Sequence, residues 1–185
     1  MTSVDDLLKN YESTKGKLCP GTILAVRMVL RGCSDIGIDW RLRNADRALI
    51  VWVEIDRWLA DALDVVAGVG LSKRSLKFLD YGKLAATFFN SHNGATVRLV
   101  ARESTRSLAD FLHPEIESKH ERQMRTYYEA TDDELFKITP AKVQLSLMDS
   151  PGRTRSRVIC GDCGEGVNDG REVYLSETRV LCRPC

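Results

Sequence analysis

The sequence predicts an α+β fold, a sheet containing antiparallel strands packed by helices, followed by a small C-terminal module held by metal. Three observations carry this. The run Ala48-Leu49-Ile50-Val51-Trp52-Val53 is unbroken, apolar and strand-forming, which suits a central strand covered on both faces. Residues 84–89 and 96–100 are two further strand candidates around Asn90-Ser91-His92-Asn93-Gly94, a loop of turn formers, and read as a hairpin. Near the end, Cys160-x-x-Cys163 is followed by Cys182-x-x-Cys185 with eighteen residues between the pairs. An antiparallel hairpin flanked by helices, without regular strand–helix alternation, favours α+β over α/β.

A chain of 185 residues holds one ordinary domain and a small appendage. Its 43% hydrophobic and 29% charged content is ordinary for a globular protein, and a formal charge of +1 supplies no global field toward nucleic acid or anionic lipid. The N-terminal stretch is acidic and amphipathic, without the basic start and apolar core of a signal peptide, and no apolar run is long enough to span a bilayer. A cytoplasmic protein without membrane contact is expected. Six cysteines in such a setting favour metal or thiol chemistry over disulfides.

In chain order, residues 3–13 read as a helix with Val4, Leu7, Leu8 and Tyr11 inward and Ser3-x-x-Asp6 as a capping box. Pro20 suits the first turn of a second helix running to Ile36, with Ile23, Val26, Leu30 and Cys33 on one face. Gly32 weakens that helix locally, Gly37 stops it, and Cys33 belongs to the core. An Arg-rich connector over 39–47 leads to the strand at 48–53. The strand ends at Glu54-Ile55-Asp56, after which Leu59, Ala62, Leu63 and Val66 recur at helical spacing, with Asp56 placed to cap. Two carboxylates therefore stand beside a helix start, where backbone N–H groups concentrate positive potential. Asp80-Tyr81-Gly82-Lys83 gathers further polar groups at a glycine, and Tyr81 and Lys83 suit an anionic group.

Beyond the hairpin, 113–130 reads as a charged surface helix carrying Ile116, Met124 and Tyr127 or Tyr128, 132–136 as a short helix, and 142–148 as a strand. His92, His113 and His120 have no partner that sequence reveals. Residues 149–157 contain a Pro-Gly pair and no apolar side chain to bury, which marks a linker between a core domain at 1–148 and a module at 158–185.

In that module each pair places two thiolates on one knuckle, and the pairs complete a tetrahedral site from Cys160, Cys163, Cys182 and Cys185. Zinc is the first choice and rubredoxin-like iron the alternative. So short a module cannot build a sizeable core, so metal supplies most of its folding free energy. Residues 151–185 carry six arginines and five carboxylate side chains, and four thiolates around one divalent cation add a further net −2. Only Arg153, Arg155 and Arg157 cluster, so a structural or protein-contacting finger is favoured over a nucleic-acid reader.

Over nearly its whole length the chain resembles the FmdE family, which takes its name from formylmethanofuran dehydrogenase. The segments that carry the resemblance are Gly16-Lys17-Leu18-Cys19-Pro20-Gly21, the run from Glu54-Ile55-Asp56 to Asp61-Ala62, Gly68, Lys73, Asp80-Tyr81-Gly82-Lys83 and the four-cysteine tail. The resemblance implies an α+β core, a treble-clef-like or zinc-ribbon-like tail, a homodimer, and a cleft bringing Cys19 near Glu54, Asp56 and Asp80. It also implies departures. Members commonly carry His at Lys17, Cys at Trp58 and Cys at Val69, so three donors are absent here.

Three function classes follow. The favoured one is a zinc-binding accessory or interaction protein of the FmdE kind, with a molybdenum or tungsten redox enzyme, or another metalloenzyme, as partner. The second is a catalytic or small-molecule cleft of Cys19, Glu54, Asp56, Asp80, Tyr81 and Lys83, with Cys19 as nucleophile or metal ligand. There the helix dipole and Lys17 favour the Cys19 thiolate, whereas nearby carboxylates oppose it. The third is a zinc-finger regulator acting on nucleic acid or polymerase. The chain has no phosphate-cradling glycine loop, Ser-His-Asp set or iron–sulfur spacing, so electron transfer by this chain alone is not expected, and it is read as not catalytic alone. If catalytic, it would be oxidoreductase-associated.

Overall fold

The computed structural model describes residues 3–185 and divides into two compact units, the first running to Val143 and the second covering Gln144–Cys185. In the first unit, α1 (Val4–Lys15) starts on a capping box: Asp6 N–H donates to Ser3 Oγ at 3.1 Å, and Ser3 N–H donates to Asp6 Oδ2 at 2.9 Å. Leu7, Leu8 and Tyr11 are buried, as their spacing requires. Helix α2 (Pro20–Asp35) has Pro20 in its first turn. It ends where Ile38 N–H donates to Cys33 O and Gly37 N–H to Ser34 O, with Gly37 in the left-handed region. Gly32 is more than a weak point. A Cβ there would lie 2.5 Å from the Phe88 ring, so the missing side chain is what lets α2 close onto the sheet.

The sheet has five strands in the order β2-β1-β3-β4-β5: β1 (Leu49–Val53), β2 (Leu76–Phe78), β3 (Ala85–Asn90), β4 (Thr96–Ala101) and β5 (Phe136–Pro140). β2 runs parallel to β1, and every other neighbouring pair is antiparallel. The β3–β4 hairpin is where the turn formers put it. The centre of the sheet is β3, however, and β1 lies one strand in from the parallel edge. Register explains the burial along it. Val51 pairs with Phe88 and Phe88 with Val97, a row inside the core, whereas the next row holds Lys77, Trp52, Thr87, Arg98 and Thr139. Trp52 is consequently only half-buried.

Leu59, Ala62, Leu63 and Val66 are all buried, in α3 (Trp58–Ala62) and the π-helical turn Leu63–Ala67 that continues it. The expected cap is corrected: Arg57 precedes the first helical residue, no side chain caps, and Asp56 is exposed. A capping oxygen must come from the residue directly before the helix, and Asp56 stands one position too early.

The segment after the hairpin also departs from expectation. Helix α4 (Ser104–Leu112), which the sequence pattern does not mark, ends at His113, and α5 (Lys119–Glu129) begins only after Ser118, whose Oγ accepts Glu121 N–H. α6 (Asp132–Leu135) opens on a Thr131–Glu134 capping box, and Phe136 opens β5 instead of extending the helix. The final core strand is therefore 136–140, not 142–148. β4 supplies a ladder for Phe136–Pro140, whereas 142–146 find none and Leu147–Asp149 form a 3-10 turn. Among the described residues no helix is long and apolar enough to cross a membrane.

The second unit is two short hairpins, β6 (Arg157–Ile159) with β7 (Gly166–Asn168) and β8 (Val173–Tyr174) with β9 (Val180–Leu181). Asp169 Oδ1 accepts the Arg155 N–H at 2.7 Å, and Arg171 donates to Asp149 and to the Asp169 carbonyl, so 149–157 is tied into this unit.

Candidate functional site

The four cysteines come together through backbone geometry. Between β6 and β7, Cys160 N–H donates to Glu165 O at 2.9 Å and Gly164 N–H to Cys160 O at 3.0 Å, with Gly164 at a φ of 73° that a side chain would resist. Gly161 N–H donates to Val180 O at 2.8 Å, which brings the end of β9 and Cys182 alongside. The four Sγ atoms all lie within 4.8 Å of one another, and those of Cys163 and Cys182 are 3.8 Å apart. A tetrahedron of metal–sulfur bonds near 2.3 Å has sulfur–sulfur edges of roughly 3.8 Å, so the donor set fits a tetrahedral thiolate-binding ion.

Electrostatics agree. Backbone N–H groups of Cys163, Cys182 and Asp162 hydrogen-bond the Cys160 sulfur and pull its thiol down to about 6. Cys185, crowded by Cys182, Cys163 and Cys160, is pushed up to about 12. One sulfur is held as thiolate while another resists adding a second charge, an imbalance that a cation at the centre removes. Among the described residues this is the one group of three or more His, Cys, Asp or Glu side chains able to share an ion.

The core places its residues differently. Cys19 stands directly before α2, half-buried, with Sγ 3.3 Å from Thr22 Oγ1 and its carbonyl accepting the N–H groups of Thr22 and Ile23. Beside it opens a cleft of 720 Å³ whose walls include Trp58, Lys83, Arg106, Lys119 and Tyr127. Cys19 and Lys83 are thus brought to one cavity. Glu54, 4% exposed, is committed elsewhere: Arg98 Nε and Nη2 hold its two oxygens at 2.7 Å each, which raises the guanidinium pKa further. Asp56, Asp80 and Tyr81 are exposed and do not line the cleft, and Lys83 Nζ lies 6.0 Å from the Tyr81 ring centre.

The three positions where the resemblance implies donors offer none. Lys17 is exposed, Val69 is fully buried, and the Trp58 ring packs on the first turn of α2, where a Cβ at Gly21 would meet its Cε3 at 2.5 Å. The sequence pattern leaves Arg106 and Lys119 unmarked, together with α4 and the true start of α5. The run Leu108-Ala109-x-x-Leu112 at helical spacing is the signal that could have found them. His113 is not isolated: Nδ1 lies 3.4 Å from Glu115 and Nε2 3.2 Å from Glu129.

The molecule is thus an α+β protein with a thiol at a helix start in its core cleft and a cluster of four thiols able to hold an ion in a separate hairpin module. A family model described as "FmdE, Molybdenum formylmethanofuran dehydrogenase operon" matches residues 14–137, and the chain belongs to this family. Its fold is shared by a crystal structure of a tungsten formylmethanofuran dehydrogenase FmdE-like protein from Syntrophus aciditrophicus. The TM-score is 0.65 and the identity 17%, with 99% of this chain and 91% of the other covered. A protein from Archaeoglobus fulgidus, described as a probable S-adenosyl-L-methionine-binding protein, is 29% identical over 94 residues. That match spans 50% of this chain and 26% of the archaeal protein.

Proposed function

We propose that this chain is a zinc-carrying accessory protein of the FmdE family, whose tail module is a zinc-ribbon-like or treble-clef-like contact element and whose partner is a molybdenum or tungsten redox enzyme. It acts as a homodimer in the cytoplasm. The observation that supports the metal reading is the cluster of four sulfurs within 4.8 Å, with backbone donors aimed at Cys160. Zinc is favoured over iron by preference alone, since both accept four thiolates. Elemental analysis of the intact chain and its Cys182→Ser variant tests it. One zinc per chain, lost in the variant, supports the reading; iron, or no metal in the intact chain, sinks it.

A second reading has its own observation. The 720 Å³ cleft reached by Cys19 and Lys83 is of the size that holds a small molecule, with Cys19 as nucleophile or ligand to it. Calorimetric titration with S-adenosyl-L-methionine, the compound in the archaeal relative's description, is the first trial, and the Cys19→Ala variant shows whether any binding is at this cleft.

A further inference from the structure

The cleft has a charge of its own that the whole chain does not. Lys83, Arg102, Arg106 and Lys119 line it against one carboxylate, Glu103, on a protein whose formal net charge is +1. Among the described residues no carboxylate lies within ion-pair distance of Lys83 or Lys119. Arg106 has only an exposed contact with Glu103 at 4.0 Å. Arg102 is oriented by its Nε, which donates to the carbonyls of Asp133 and Phe136 at 2.9 and 3.0 Å. Cations gathered on low-dielectric walls focus the field into the cavity, and here their charge is not spent on the protein's own acids.

One wall carries the Trp58 ring, with the Arg57 guanidinium 5.5 Å from its centre. The Trp58 ring is seated on the first turn of α2 because Gly21 has no side chain to hold it off, so it is fixed before any ligand arrives. Deeper in, Tyr127 is 4% exposed and Thr105 is 3% exposed. Thr105 Oγ1 donates to Arg102 O at 2.8 Å, and its contact with the Tyr127 hydroxyl is a slack 3.5 Å.

Building on the reading of this cleft as a small-molecule site, we infer that it takes an organic anion bearing a planar ring. The ring lies against Trp58 and the anionic group faces Arg106 and Lys119. A carboxylate, sulfonate or phosphate satisfies the same chemistry.

The test uses two probes of one ring system, 8-anilinonaphthalene-1-sulfonate and the uncharged N-phenyl-1-naphthylamine, on the full-length protein. The readout is protection of Cys19 from iodoacetamide, followed by peptide mass spectrometry, because Cys19 is on the cleft wall whereas exposed apolar patches elsewhere are not. The sulfonate should protect Cys19 at roughly tenfold lower concentration than the neutral probe. The Arg106→Gln/Lys119→Gln variant should abolish that difference, and Trp58→Leu should weaken both probes. Both cations are exposed, so the double variant should keep the wild-type circular dichroism. Equal protection by the two probes overturns the anionic class while leaving the cleft a binding site. No protection by either probe overturns the cleft as a site altogether.

Discussion

Arg98 on β4 reaches past β3 to grip both oxygens of Glu54 at 2.7 Å, tying the end of β1 to a strand two places away. Glu54 is buried and Arg98 is partly open to solvent, so breaking the pair strands a charge on one side only. Glu54→Ala should cost about 1–3 kcal/mol in urea unfolding, below the figure for two fully buried charges. In a double-mutant cycle with Arg98→Met the coupling should be at least about 1 kcal/mol. Additive losses would show that the pair is only an incidental contact.

Gly32→Ala sets two effects against each other. Alanine gains up to about 1 kcal/mol of helix propensity. Its Cβ would fall 2.5 Å from the Phe88 ring, itself fully buried, and overpacking costs about 1–3 kcal/mol. Since a buried ring cannot swing into solvent, the steric effect should win and the variant should melt lower than the parent. Gly32→Ala combined with Phe88→Leu should recover part of the loss.

Alkaline pH should loosen the core through Cys33. Burial pushes this thiol from 9.0 up to about 12, and burial likewise raises Tyr11. A group raised on folding stays protonated in the native state while the unfolded chain ionises. Its contribution is therefore whole below about pH 9 and is lost as pH climbs toward 12. Melting temperatures recorded between pH 7 and 11 should fall above pH 9, and Cys33→Val should flatten that fall. An unchanged profile in the variant would assign the loss to other groups.

Metal removal should act on one unit only. A strong chelator, or Cys182→Ser, should expose the chain beyond Gln144 to proteolysis, because the two hairpins are only two or three residues per strand and have little apolar area to bury. The fragment up to Val143 should resist. Simultaneous loss of both units would mean that the core depends on the ion.

What can be read from sequence is what local chemistry decides. The Ser3–Asp6 box, the stripe of Leu59, Ala62, Leu63 and Val66, the hairpin turn and the cysteine knuckles each follow from residues a few positions apart. What cannot be read is decided by partners far along the chain. Nothing near Glu54 in sequence announces Arg98, 44 residues on, which closes over it. Phe136–Pro140 is a strand because β4 offers it a ladder, and the alternating stretch after it pairs with no strand. The cleft's cations Arg106 and Lys119 belong to α4 and α5, whose boundary at His113-Pro114 has the local chemistry of a helix start.

Gly21 and Gly32 stand eleven residues apart on α2, and each receives an aromatic ring, Trp58 at one end and Phe88 at the other. Eleven residues are close to three full turns, so the two sockets open on nearly the same side of the helix. They work as paired keyways that set both the rotation and the sliding position of α2 against its neighbours, and with them the placement of Cys19 at its start. The spacing is then constrained as tightly as the glycines themselves: one residue inserted between them would turn one socket by about 100° and leave its ring with nowhere to seat.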